Sequence, residues 1–219
     1  MWNSGFALEQ LATLADENGE KTKQLLSWLA KEYQINIVGG SVATKREAGF
    51  FNTMYVVDRS GKISAQYDKA HLFKLMDEHL FLQPGQSDNL FELDGITCGG
   101  VICYELRFPE WFRTHTLKGA KIMFIPAQWP KLRIDHWQTL LQARAIENQC
   151  YIVAVNPVCT NPNNEFNGHS MVIAPWGEIL LGNQTEEGLY YAKLDLEEVE
   201  RVRNTIPVFQ DRRTDLYNK

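Results

Sequence analysis

The sequence predicts an α/β protein whose mixed sheets carry helices on their outer faces. Apolar runs of strand length outnumber stretches with helical periodicity. Two turn signals, Arg59-Ser60-Gly61-Lys62 and Asp94-Gly95, separate such runs and mark hairpins. Beyond Cys103, strands alternate with helices, which is the order of strand–helix–strand units. No composition shift, internal repeat or low-complexity segment divides the chain, so residues 1–219 are expected to form one domain.

The elements follow in order. Residues 21–33 carry Leu25, Leu26, Leu29 and Tyr33 on one helical face. A short apolar strand is expected over 35–42, ending at Gly39-Gly40. Strands over 52–58 and 63–67 flank the first hairpin turn. The stretch 69–85, rich in His, Asp and Gln, is expected to be a long loop. Strands over 90–93 and 96–103 form the second hairpin. Pro109 suits the first turn of a helix running to about residue 118. A buried strand spans 121–125. Asp135 is expected to cap a helix to about residue 148, with Gln138 placed as in a capping box. Strands follow over 151–155 and 169–174, then one at Ile179 after the Pro175-Trp176-Gly177 turn, and one over 190–194. Asp195 caps a last short helix, and a polar tail begins at Ile206.

Composition narrows the function. The net charge is −5, with 22 basic and 27 acidic residues dispersed along the chain. That argues against nucleic acid or an anionic membrane as the main partner. No apolar run reaches the ~20 residues a membrane-crossing helix needs. Met1-Trp2-Asn3-Ser4-Gly5 lacks the basic and apolar regions of a signal peptide. Cys98, Cys103, Cys150 and Cys159 show neither Cys-x-x-Cys nor Cys/His zinc spacing, so the expectation is a reducing, cytoplasmic setting with no metal.

Cys103 ends an apolar strand and precedes a Pro-started helix. A nucleophile wants that place, because a tight turn exposes the sulfur and nearby backbone N–H groups favour negative charge. The plain alternative is that free cysteine fills core, and Cys98, Cys150 and Cys159 are read that way. Lys69 follows a strand end. It is either a solvated surface charge or a cation beside a thiolate, able to stabilise a tetrahedral oxyanion. Glu78 is one acidic residue among many, and by itself reads as surface. Trp129 follows the buried strand at 121–125, and such positions line α/β pockets or fill core.

Four blocks then share one resemblance: Lys69-Ala70-His71-Leu72-Phe73, Ile102-Cys103-Tyr104-Glu105-Leu106-Arg107-Phe108-Pro109-Glu110, Arg144-Ala145-Ile146-Glu147-Asn148-Gln149, and Gly168-His169-Ser170 with Pro175-Trp176-Gly177-Glu178. In that order and spacing they resemble the nitrilase superfamily of carbon–nitrogen hydrolases. Met76-Asp77-Glu78-His79-Leu80, Pro109-Glu110-Trp111 and Asn163-Asn164-Glu165-Phe166 resemble its ω-amidase branch, especially bacterial amidases of methionine salvage acting on 2-oxoglutaramate.

The resemblance implies a four-layer α-β-β-α sandwich, here lacking its first strand and helix. It implies a Glu–Lys–Cys triad in which Cys103 is the nucleophile and Lys69 the cation, with Glu78 as a second, supporting glutamate. It places the oxyanion at the backbone N–H of Tyr104 and the substrate near Trp129. Arg107 is read as structural. It implies a small-molecule amide substrate, no cofactor, and a homodimer formed through 109–118 and 135–148, with the tail from Ile206 crossing to the partner. The family's base glutamate ends a Pro-Glu pair just before a segment like Met1–Phe6. That position precedes Met1, so impaired activity is expected of the chain as written. A start placed too late, within a Pro-Glu-Met-Trp run, is the expected reason; a fragment or a pseudoenzyme are the alternatives. A nitrilase, an N-carbamoyl amine hydrolase and a non-catalytic binding protein remain open as functions.

Overall fold

A computed structural model describes residues 1–161 and 164–217. Asn163, part of one branch-like segment, lies outside the described residues, as do the last two residues of the tail.

Helical turns open the chain, with α1 at Leu11–Leu14, β1 at Asp16–Glu17 and α2 at Glu20–Tyr33. Then come β2 (Ile37–Arg46), β3 (Gly49–Val57) and β4 (Ile63–Asp68), with β1, β2, β3 and β4 adjacent in that order in one sheet. After α3 (Glu78–Phe81), the second sheet is built from β5 (Leu90–Leu93), β6 (Ile96–Gly100), β7 (Ile122–Pro126), β8 (Tyr151–Val155), β11 (Met171–Ile173) and β12 (Ile179–Leu181). Strands β6, β7 and β8 run parallel. Their crossovers are α4 (Pro109–Leu117) and α5 (Ile134–Asn148). A separate hairpin pairs β9 (Val158–Asn161) with β10 (Asn164–Asn167). Helices α6 (Leu196–Thr205) and α7 (Thr214–Tyr217) end the chain.

Alternation along the strands builds the four layers. On β3, Met54 and Val56 face Phe91, Cys98, Ile122 and Tyr151 of the second sheet. Their neighbours Tyr55 and Val57 pack instead with Leu26 and Ala30 of α2. Beyond the second sheet, Met123, Ile125, Ile152 and Ala154 meet Phe112, Trp137, Leu141 and Ala145 of α4 and α5. The order is therefore helix, sheet, sheet, helix. Emptying one central position, such as Phe112→Ala, costs about 3–5 kcal/mol.

Several expectations need correction. Strand β2 does not end at Gly39-Gly40 but runs to Arg46, with a bulge between Val38 and Ser41. The glycines allow it: Gly40 has φ +69°, and a Cβ on Gly39 would stand 2.3 Å from Leu26. Asp135 does not cap α5. The cap position is Arg133, Asp135 lies inside the first turn, and Gln138 donates to Asn183 Oδ1 at 2.7 Å instead. Residues 190–194 form no strand, because alternation without a neighbouring edge leaves the backbone unpaired. They lead instead to Asp195, whose N–H donates to Tyr151 Oη at 3.1 Å and whose carbonyl accepts from the same hydroxyl at 2.9 Å. Asp195 does cap α6, accepting from Glu197 N–H at 3.1 Å. Cys98 and Cys150 fill core as expected, but Cys159 is exposed, lying in the β9–β10 hairpin outside both large sheets. The tail begins against its own chain, where the guanidinium groups of Arg113 and Arg203 both lie over the Phe209 ring.

Candidate active site

The parallel strands β6, β7 and β8 deliver their C-terminal ends to one place, the usual position of an α/β site. Val101 and Ile102 continue β6 for two residues. Val101 N–H donates to Phe124 O at 3.0 Å and aligns this extension with β7. Cys103 then breaks it with φ +50° and opens the 3₁₀ turn Cys103–Arg107. A left-handed conformation at a non-glycine residue costs about 1–3 kcal/mol and persists only where the surroundings impose it. The sulfur donates to Gln128 O at 3.7 Å, in the loop after β7.

Lys69 arrives from the opposite sheet, directly after β4. Its N–H donates to Asn52 O at 2.9 Å, which keeps it in register with β3. Its side chain is only 1% exposed, so the surface reading fails. The ammonium donates to Glu78 Oε2 at 2.6 Å, and Glu78 is equally buried. Phe73 N–H donates to the same oxygen at 2.7 Å. The expected irregular loop thus folds back through 3₁₀ and α3 turns to place Glu78 behind Lys69.

A cavity of about 200 Å³ is lined by Cys103, Lys69, Glu78, Asn52, Gln128 and Met1, among others. Glu78 is the one carboxylate among its described lining residues. Burial pushes the Cys103 thiol up from its ordinary range, and the Lys69 ammonium opposes this by less. That direction favours the protonated thiol, so a nucleophilic thiolate at this position would need a base. Burial also pushes the α-amine of Met1 down to about 6, and its contact is Gln128 Oε1 at 3.4 Å.

An adjoining cavity shares Phe6, Cys103 and Gln128, and adds Tyr104, Arg107, Trp129 and Arg133. Trp129 is fixed on both sides: its N–H donates to Asn156 Oδ1 at 2.7 Å and its indole to Arg133 O at 2.7 Å. Arg107 lies over its ring at 4.8 Å, and the Tyr104 ring stacks on Phe73 at 4.5 Å. All five residues singled out from the sequence thus line one or both of two contiguous cavities. Asn52 and Gln128 were missed. Asn52 is an amide on a mostly apolar inner strand, a signal for a buried polar role. Gln128 differs from a surface residue only by following β7.

Comparison with known proteins shows the family. The family model described as carbon–nitrogen hydrolase matches residues 1–204. The chain is 52% identical over 217 residues to the 2-oxoglutaramate amidase of Bacillus subtilis (strain 168), covering 99% of this chain and 84% of that one. It is 32% identical over 225 residues to the human omega-amidase NIT2, covering 99% and 82%. The crystal structure of a carbon–nitrogen hydrolase from Helicobacter pylori G27 superposes with a TM-score of 0.86 at 29% identity, covering 91% of this chain and 75% of that one. Alike in sequence and in the order of its layers, the chain belongs to the carbon–nitrogen hydrolase family and is an amidase.

Proposed function

We propose that this amidase hydrolyses the side-chain amide of a 2-oxo dicarboxylic acid monoamide of the 2-oxoglutaramate type, releasing ammonia through a thioester on Cys103. The observation that carries this reading is the buried Lys69–Glu78 ion pair, which shares one cavity with the Cys103 thiol.

The steps follow from the chemistry. A base takes the thiol proton, and the thiolate attacks the amide carbonyl. The Lys69 ammonium and the Tyr104 backbone N–H receive the oxyanion. Glu78 holds the ammonium in place. The base returns its proton to the nitrogen, ammonia leaves, and the thioester remains. Water, deprotonated by the same base, releases the acid and restores the thiol. The base is the glutamate that the family resemblance places just before Met1. Met1 and Trp2 line the cavity beside Cys103 and Lys69, which supports this reading of the base.

A 2-oxo acid amide also carries a carboxylate, and a cation must meet it. Arg107 and Arg133 line the adjoining cavity together with Trp129 and supply that charge. Arg107 is thus given a substrate role rather than a purely structural one. The dimer is proposed through 109–118 and 135–148, where Leu117 and Ile146 are about half exposed at 45% and 50%. No helix among the described residues is long and apolar enough to cross a membrane.

The test is ammonia release from 2-oxoglutaramate by the 219-residue chain and by a chain extended upstream through a Pro-Glu pair. The short chain is expected to be slower by the ~10²–10⁴-fold typical of lost acid–base help. Equal rates would overturn the assignment of the base. Carbon dioxide released from a carbamoyl amine in preference would overturn the substrate class.

A further inference from the structure

We propose that Glu105 is a positioning residue: its carboxylate clamps the Cys103 turn to the Lys69 segment and so fixes the distance between sulfur and ammonium. The inference rests on the roles given above to Cys103 and Lys69.

Glu105 is fully buried, and its two oxygens divide their partners by segment. Oε2 accepts from Ile102 N–H at 2.7 Å, the residue before the nucleophile. Oε1 accepts from Ala70 N–H at 3.0 Å and His71 N–H at 3.1 Å, the two residues after Lys69. Oε1 also accepts from Tyr67 Oη–H at 2.7 Å and lies 3.2 Å from His71 Nδ1. A carboxylate suits this place because it has acceptor sites on both oxygens and no proton of its own. Fully burying it without partners would be very costly. Here every strong contact runs to one of the two catalytic segments or to β4, which leads directly into Lys69. One side chain thus bridges the two sheets at the point where the site is assembled. The bond to Ile102 N–H also restrains the residue from which Cys103 turns into its left-handed conformation.

Replacing Glu105 by glutamine keeps the volume but sets an NH₂ against a donor at one end. Either Ile102 N–H or the Ala70–His71 pair then loses its acceptor, and one catalytic segment is released. A displacement near 1 Å in a reacting pair costs up to about 10²-fold in rate.

The experiment compares the wild type, Glu105→Gln and Tyr67→Phe, each in a Cys159→Ser background so that the exposed thiol does not compete. It measures kcat and KM for 2-oxoglutaramate per folded molecule, and the pH–rate profile of Cys103 alkylation by iodoacetamide without substrate. Glu105→Gln is expected to lose ~10–100-fold in kcat with KM within about threefold, and to displace the alkylation profile by half a pH unit or more. Tyr67→Phe removes one donor and leaves both ends tied, so a loss of a few-fold is expected. A folded Glu105→Gln with lower thermal stability but wild-type kcat and profile would overturn the proposal, since the carboxylate would then only stabilise. If Glu105→Gln does not fold, unchanged kcat and profile in Tyr67→Phe overturn it instead. Failure of the underlying mechanism shows separately, as turnover persisting in Cys103→Ala, while the substrate-free alkylation profile still judges Glu105.

Discussion

Breaking the Lys69–Glu78 pair is expected to unfold the site as well as disarm it. At 2.6 Å and an effective dielectric near 20, the pair attracts by about 6 kcal/mol before desolvation is counted. Both groups are 1% exposed, so each alone would be an uncompensated buried charge. Removing one partner of such a pair costs about 3–5 kcal/mol. Lys69→Met leaves the Glu78 carboxylate with Phe73 N–H as its remaining donor at 2.7 Å, and should sit at the upper end. Glu78→Gln keeps an acceptor for both donors and should cost less. The double variant removes both charges, so its loss should fall short of the sum by about 2 kcal/mol or more, as coupled neighbours do. Urea unfolding measures this directly. With slopes of ~1–3 kcal/mol per molar, Lys69→Met should lower the midpoint by more than ~1 M. Additive costs within about 0.5 kcal/mol, or a Lys69→Met cost under about 1 kcal/mol, would mean that water reaches the pair and that the buried cation is not held as described.

Two further outcomes test other parts of the account. Arg107→Met should raise KM for 2-oxoglutaramate ~10–100-fold, the equivalent of one hydrogen bond to a charged group, while a neutral amide without the carboxylate loses much less; equal losses would return Arg107 to a structural role. Burial raises three thiols, Cys98 and Cys150 to about 12 and Cys103 in the same direction. Above the ordinary thiol range near 8.5 the unfolded chain sheds protons that the native state keeps, so stability falls as pH rises, by up to about 1.4 kcal/mol per unit for each thiol. Urea midpoints at pH 8 and 9.5 should show the fall, and Cys98→Ala with Cys150→Ala should flatten it; a pH-independent midpoint would mean that these thiols are solvated.

Much of the fold was legible because it rests on local patterns. Apolar runs of strand length marked β3, β4, β7 and β8, Pro109 marked α4, and Asp195 marked α6, each a signal contained within a few residues. The failures share a physical cause, dependence on a distant partner. Residues 190–194 alternate but meet no strand. Gly39-Gly40 reads as a stop, yet Leu26 of α2 and the side chain of Trp2 make it a bulge inside a longer strand. Cys159 reads as core until the hairpin carrying it is seen to lie outside both sheets. The candidate site divides the same way. Cys103 stands at a strand end and was nameable from its context. Lys69 and Glu78 look like surface charges one at a time, and only the family resemblance linked them. The clamp at Glu105 joins residues 35 positions apart through backbone N–H groups, which no side-chain pattern encodes.

The proposed amide hydrolysis turns on the chemistry of one sulfur. Rapid mixing with 2-oxoglutaramate, acid quenching and peptide mass mapping should reveal an acyl group on the peptide containing Cys103, and none on those containing Cys98, Cys150 or Cys159. Ammonia release that continues in Cys103→Ala, or steady turnover by the wild type with the acyl group on another residue, would contradict it.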